Sequence, residues 1–274
     1  TDSATRAVMA ALEAAGGPGC ARFVGGCVRN ALIGAPVADI DIATTLKPEA
    51  TDRAIRTAGL KSVPTGIAHG TVTAVSERQP FEITTLRRDV STDGRNATVA
   101  FTDDWAEDAA RRDFRLNALY ADGEGRVFDP TGEGVADAAA GRIVFVGDPE
   151  TRIREDYLRI LRFFRFFAWY GRGEPDRAAL AACRALASGM TRLSAERVSK
   201  ELMTLLAAPD PRVAMAAMAE AGVLAQILPE AERGPLFDGA VKTSVDPVIR
   251  LMTLMPIDER LVRDVSIRLR FPNS

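Results

Sequence analysis

The chain has 274 residues, 47% hydrophobic and 26% charged, which is ordinary globular composition and enough length to bury one large core or two smaller ones. A disordered, collagenous or disulfide-scaffold protein is excluded, and no apolar run approaches the ~20 residues of a membrane-spanning helix. The formal net charge of −2 excludes a generally basic coat for nucleic acid, so a nucleic-acid partner must be held by a local patch. Cys20, Cys27 and Cys183 have no paired metal spacing, and the single histidine, His69, argues against a His-rich metal site or a His-based triad. The opening TDSATRAVMAALEAAGG has neither the basic nor the apolar region of a secretory signal, which leads to an expected cytoplasmic location. Arg outnumbers Lys 31 to 4, a bias that high-GC codon usage accounts for without invoking phosphate binding.

In chain order, ARFV (21–24) predicts a short strand stopped by Gly25 and Gly26, and VRNALIG predicts a helix ending at Gly34. ADIDIATT alternates from Asp39 and predicts a half-buried strand, with two more over 69–75 and 80–86. The polar stretch 87–99 contains Asp-Gly and predicts a loop. Residues 103–122 carry carboxylates first and then apolar residues at helical spacing, and 125–134 is rich in turn formers. Beyond about Asp137 a short strand, 142–146, is the last β signal. Residues 151–171 then predict one long amphipathic helix, followed by helices over 194–206, 213–231 and 246–256. The expected fold class is α+β: a head with a mixed sheet and flanking helices over 1–136, a helical neck over 137–205, and the start of a helical body over 206–274.

Asp39 and Asp41, at i and i+2 of a strand, point to one face, and oxygen-only ligands there suit Mg²⁺. Two exposed carboxylates on a polar strand face are the alternative. Upstream, Gly25 and Gly26 let backbone N–H groups face an anion, and Arg29 can add a charged contact to a phosphate. The order strand, Gly-Gly, Arg, Asp-x-Asp therefore sets a phosphate cradle beside a metal-binding pair, as phosphoryl transfer needs. Glu82 is a third carboxylate, open between metal ligand, proton acceptor and solvated strand residue. Arg111 can serve a triphosphate and Asp113 a ribose hydroxyl. A salt-bridge face with Glu107 and Asp108 is the alternative for Arg111 and Arg112.

Asp156, Arg159, Arg162 and Arg165 recur every third residue, a pattern that in isolation is a solvated charge row. Asp156 and Arg159 together could also read a base. A carboxylate accepts from an exocyclic amine while a guanidinium donates to the neighbouring ring acceptor, which suits cytosine and adenine and mispairs with guanine and uracil.

With these residues assembled, the sequence resembles the class II CCA-adding tRNA nucleotidyltransferases and poly(A) polymerases of the polymerase β-like superfamily. The resemblance runs in order through VGGCVRNALIG with DID, RRDFRLNAL, DPTGEGVADAAAGRIVFVGD, EDYLRILRFFRF and SAERVSKELMTLL, and so covers nearly the whole chain. It implies catalytic Asp39 and Asp41 as magnesium ligands of a two-metal mechanism, while Glu82 joins them as a candidate catalytic residue from its strand position alone. It further implies nucleotide contacts from Gly25, Gly26, Arg29, Arg111, Asp113 and Asn117, and base reading by Asp156 and Arg159 with Arg162 and Arg165 in support. The implied substrates are CTP, ATP and the tRNA 3′ end, with pyrophosphate released and no nucleic-acid template. Residues 87–99 resemble the flexible loop that the family associates with the change from CTP to ATP.

Three departures carry expectations of their own. Asn30 stands where the family has Asp, which weakens the expected orientation of Arg29, although an amide still accepts a hydrogen bond. Arg115 stands where the family has Thr and reads as a surface change. The sequence stops after RLRFPNS, where family members continue into further helices, which bears on tRNA affinity. Poly(A) polymerase is the nearest alternative, ranked second because GIAHGTVTAV stands where that branch carries an Arg-rich segment. CC-only or A-only addition and a non-catalytic RNA-binding remnant are the others.

Overall fold

The first strands are short because alternation and glycine leave them little room: β1 (Ala21–Val24) ends at Gly25, and β2 (Asp41–Thr44) begins at Asp41 itself. The structure is a computed structural model and describes residues 2–67, 70–92 and 97–271. Asp39 precedes the strand that the alternation predicted from it. Helices α1 (Ser3–Gly16), α2 (Gly26–Leu32) and α3 (Pro48–Thr57) are joined by β3 (Lys61–Gly66), β4 (Thr71–Ser76) and β5 (Gln79–Thr85). His69 lies outside the described residues. With β8 (Tyr120–Ala121) and β9 (Val127–Phe128), these strands form a mixed sheet of order β3-β4-β5-β2-β1-β8-β9. Only β2 and β5 run parallel; the other neighbours are antiparallel.

Register explains which face is which. Val72, Ile83, Ile42 and Phe23 align across β4, β5, β2 and β1, and all are buried. Helices α1 and α3 pack near them and contribute Val8, Leu12 and Ile55 to the core. Because side chains alternate, Thr73, Glu82 and Asp41 align one position away and point to the opposite face.

Five predicted elements are corrected. The predicted helix 213–231 is two helices, Arg212–Glu220 and Val223–Ile227, separated at Gly222 (φ +72°). The 87–99 loop is an antiparallel hairpin of β6 (Arg87–Thr92) and β7 (Ala97–Phe101), with 93–96 outside the described residues. Within 103–122 only α4 (Trp105–Ala110) is α-helical. A 3-10 turn (Arg115–Asn117) and β8 follow, since Asp113 and Phe114 leave helical geometry. The 142–146 segment makes no strand ladder; it leads from α5 (Gly134–Ala140) to α6 (Pro149–Glu155). Its Phe145 stacks on Phe163 instead, with ring centroids 6.0 Å apart. The predicted helix 151–171 is two helices, α6 and α7 (Leu158–Tyr170), broken at Asp156 (φ −153°, ψ 107°).

The chain divides into two compact units, residues 1–139 and 140–274. The second holds α6, α7, α8 (Arg177–Leu186), α9 (Ala195–Leu206), α10 (Arg212–Glu220), α11 (Val223–Ile227), α12 (Pro235–Thr243), α13 (Pro247–Met252) and α14 (Glu259–Arg268). Helix α7 supplies its apolar centre through Leu158, Ile160, Leu161, Phe163, Phe164, Phe166 and Phe167. With a mixed sheet in the first unit and helices in the second, the fold is α+β, as expected. No helix among the described residues is long and apolar enough to cross a membrane.

Candidate functional site

Asp41 and Glu82 are register partners on the parallel strands β2 and β5, and both are exposed on the face away from α1 and α3. Enclosure by surrounding protein and then the Glu82 charge raise the Asp41 pKa, and the Asp39 charge adds to this. Arg112 acts in the opposite direction and so lies within Coulombic reach of Asp41. Among the described residues no three His, Cys, Asp or Glu side chains stand close enough together to hold a metal ion. The donor set that Asp39 and Asp41 offer is a pair of carboxylates, which Mg²⁺ completes with water and substrate phosphate.

Gly25 caps α2 at φ +73°, a conformation an L side chain rarely adopts. A Cβ there would also stand 3.6 Å from Arg112 Nη1. Gly26 opens α2, and a Cβ on it would lie 3.7 Å from Arg29 Nη2. Arg29 is buried beneath this turn. Its Nε and Nη2 donate to Asn30 Oδ1 at 3.1 and 2.8 Å, and its Nη1 donates to Asn117 Oδ1. Asn30 in turn donates to the Pro36 carbonyl at 2.8 Å. The amide at position 30 thus orients the guanidinium, and the weakening expected from the loss of a carboxylate is offset by two accepted hydrogen bonds.

The RRD segment divides its duties in a way the sequence left open. Arg111 turns to Asp108 and, through Nε, to the Arg87 carbonyl at 3.1 Å. Arg112 pairs with the same Asp108 at 2.9 Å and is the arginine near both Gly25 and Asp41. Asp113 Oδ1 accepts from the Phe114 amide at 2.8 Å and from Asn117 Nδ2 at 3.2 Å, which places this oxygen in support of Asn117. Arg112 entered the sequence reading only through the salt-bridge alternative with Asp108, which the structure bears out for both arginines, and not as a nucleotide contact. Arg115 is not a surface change. Its Nε donates to the fully buried Asp137 at 2.7 Å, and Nη1 pairs with Glu133.

In the second unit, Asp156 ends α6 and caps α7: Oδ1 accepts the Leu158 amide at 3.1 Å and Oδ2 accepts from Arg197 Nη2 at 2.6 Å. Each carboxylate oxygen retains a lone pair for a further donor. Arg159 donates to Glu155 and to the Arg152 carbonyl at 2.8 Å. Arg165 and Arg162 pair with Glu201 of α9 at 2.6 and 3.8 Å. Tyr157 is seated on Gly189, where a Cβ would lie 1.8 Å from the ring. Arg197 was the residue missed here, since only the tertiary fold brings α9 to Asp156.

Residues 21–144 match the family described as the poly A polymerase head domain, and residues 174–234 match that described as the probable RNA and SrmB-binding site of polymerase A. The mouse mitochondrial CCA tRNA nucleotidyltransferase 1 is 43% identical over 191 residues, spanning 68% of this chain and 43% of the relative. The CCA-adding enzyme of Geobacillus thermodenitrificans is 36% identical over 220 residues, 78% of this chain and 52% of the relative. The chain thus spans about half the length of the curated relatives it matches. The Bacillus stearothermophilus CCA-adding enzyme, solved in complex with CTP, superposes with a TM-score of 0.71 at 26% identity, covering 98% of this chain and 70% of that one. A Thermotoga maritima CCA-adding enzyme complexed with tRNA shares the fold at 21% identity, with a TM-score of 0.71 over 92% of this chain and 62% of that one.

Proposed function

Because the chain belongs to the family that unites CCA-adding tRNA nucleotidyltransferases with poly A polymerases, we propose that it adds C, C and A to tRNA 3′ ends from CTP and ATP, without a nucleic-acid template. The observation that carries this reading is the alignment of Asp41 with Glu82 on the open face of the sheet, within reach of Arg112 and the Gly25 turn.

Asp39 and Asp41 suit magnesium. Desolvation, then the Glu82 charge and, to a smaller extent, the Asp39 charge raise the Asp41 pKa; a dication relieves this, and two carboxylates are as many as Mg²⁺ takes beside phosphates. In the two-metal form of the proposal, Asp39 and Asp41 would hold magnesium, which would supply polarisation of the α-phosphate and charge neutralisation on the departing pyrophosphate. The remaining work belongs to the chain. Gly25 and Gly26 admit the phosphates to the backbone, while Arg112 supplies positive charge and Arg29 holds the turn from below. The RNA 3′-oxygen bonds to the α-phosphorus as the bond to the β-phosphate oxygen breaks, and that oxygen leaves with the electron pair. Glu82 accepts the hydroxyl proton.

In base reading, Asp156 would accept the exocyclic amine of cytosine or adenine, and Arg159 would donate to the adjacent ring acceptor. Arg197 and Leu158 hold Asp156, and Glu201 holds Arg162 and Arg165 behind it. Residues 206–274 belong, in this reading, to the start of a helical body.

Single-turnover extension of a tRNA transcript lacking CCA, with Mg²⁺ and CTP, ATP or both, tests the proposal at nucleotide resolution. Growth by C, C, A and then a stop supports it. Long A tails would reassign the chain to poly A polymerase activity, and a halt after CC to a split activity. Absence of extension at saturating RNA and nucleotide would overturn it.

A further inference from the structure

The buried carboxylate of Asp108, only 1% exposed, is the meeting point of donors from Arg87, Arg111, Arg112 and Tyr120. Arg111 and Arg112 bring guanidinium groups to its two oxygens at 2.9 Å each, and Tyr120 donates its hydroxyl to Oδ2 at 2.8 Å. Arg112 Nε adds a second contact at 3.2 Å, and the Arg87 backbone N–H donates to Oδ1, also at 3.2 Å. Arg111 returns to the same peptide and donates to the Arg87 carbonyl at 3.1 Å. The N–H of the first hairpin residue is therefore tied directly to the carboxylate that orients Arg112, and its carbonyl is tied to it through Arg111. Burial alone would raise the Asp108 pKa, but the two guanidinium groups outweigh it and hold the carboxyl ionised. Edge-on contact of Tyr120 with Trp105, at 5.1 Å between centroids, fixes the phenol that completes the set.

We propose that Asp108 is a positioning residue: it aims Arg112 at the site of Asp41 and, with Arg111, anchors the root of the β6–β7 hairpin to that same arginine. The proposal rests on the functional reading above in one respect, that Arg112 serves the nucleotide. A carboxylate is needed because one acceptor pair must satisfy two cations, a phenol and an amide at once. An amide in its place offers one acceptor oxygen and sets an N–H against a guanidinium.

A double-mutant cycle on the full chain tests it, with kcat and KM for CTP measured during extension of tRNA lacking CCA. Asp108→Asn and Arg112→Met each should raise KM for CTP at least tenfold. Combined, they should cost no more than Arg112→Met alone, because Asp108 acts through Arg112. Losses that multiply would assign Asp108 a separate structural role and overturn the proposal. Should Asp108→Asn fail to fold, Tyr120→Phe enters the same cycle, with an expected three- to tenfold effect and the same non-additivity.

Amide hydrogen exchange at Arg87 gives a readout free of substrate. Its protection should fall in Asp108→Asn and in Arg111→Met while protection within β4 and β5 is retained. Unchanged protection at Arg87 would overturn the anchoring part. If the wild-type chain extends no RNA, the functional reading fails by itself, and the exchange measurement still decides the clamp.

Discussion

Arg197, at the start of α9, donates to Asp156 Oδ2 at 2.6 Å across 41 residues, while the amide of Leu158 occupies Oδ1. The carboxylate proposed to read the base is therefore oriented by a helix remote in sequence. A base-reading group must be held closely, because discrimination depends on leaving the wrong partner unpaired.

Arg197→Met should accordingly relax selection against UTP and GTP while leaving CTP turnover within about tenfold of the parent, a loss of about 1.4 kcal/mol at most. Arg159→Ala should erode base choice further. Incorporation ratios for the four nucleotides on one tRNA check both, and an unaltered ratio in Arg197→Met would separate Asp156 orientation from α9.

Asp41 carries a pKa raised by its enclosure and by Glu82 and Asp39. For a carboxylate whose folded pKa lies above its unfolded value, the folded state binds the proton more tightly. Stability thus falls as pH rises through that window, and the cost is fully present at neutral pH. Asp41→Asn should raise the Tm of the metal-free chain at pH 7 and abolish incorporation. Its gain in Tm over the parent should shrink as pH is lowered into the carboxylate range, where the parental Asp41 is protonated. A lower Tm in the variant would contradict the repulsion, and parental turnover would remove Asp41 from the site. Magnesium affinity should weaken as pH drops into the same window, because the ion competes with the proton.

Arg115 links the 3-10 turn that carries Asn117 to α5, through Asp137, which is 0% exposed. Removing one partner of a buried pair costs about 3–5 kcal/mol, so Arg115→Thr should lower the unfolding free energy measured by urea denaturation by about that amount. Arg115→Thr with Asp137→Asn should recover part of the loss. A change below about 0.5 kcal/mol would return Arg115 to the surface role its sequence position suggested.

Arg250 is fully buried and spends its guanidinium on main chain. Nε donates to the Ser244 carbonyl at 2.7 Å, Nη1 to Leu206 and Ala208 at 2.6 and 2.5 Å, and Nη2 to Val241 and Pro209 at 3.2 and 3.5 Å. These carbonyls lie around the C-terminal ends of α9 and α12, which have no partners of their own there. Arg250→Met should destabilise the chain by about 3 kcal/mol or more, since several buried acceptors lose their donors. Arg250→Lys should recover little, because an ammonium has three donors and no planar fork. Chemical denaturation of both variants decides it; a near-parental midpoint in Arg250→Lys would show that charge alone suffices.

Several site residues were legible because short-range rules place them. Alternation puts Glu82 on the face of Asp41 once the two strands pair, and a glycine at the strand-to-helix turn is demanded by the positive φ of Gly25. The loop expected over 87–99 was misread because polar residues alternating with Val and Ala suit paired strands as well as a loop. The pairing of Arg87 with Phe101 depends on the strand opposite. The long helix over 151–171 was misread because its apolar period continues through Asp156, whose capping of Leu158 competes with helical continuation.

The sequence by itself determined the α+β class and the local elements that carry the candidate carboxylates and arginines, since these are written in residue type and in spacings of two to four. Tertiary structure decided which arginine of the RRD segment faces Asp41, that Asn30 can hold Arg29, that Arg115 is paired inside the protein, and that Arg197 steadies Asp156. Those outcomes turn on which buried charge finds which partner across tens of residues. A buried ion is stable only where a complementary group is delivered by another element, and no local pattern specifies that delivery.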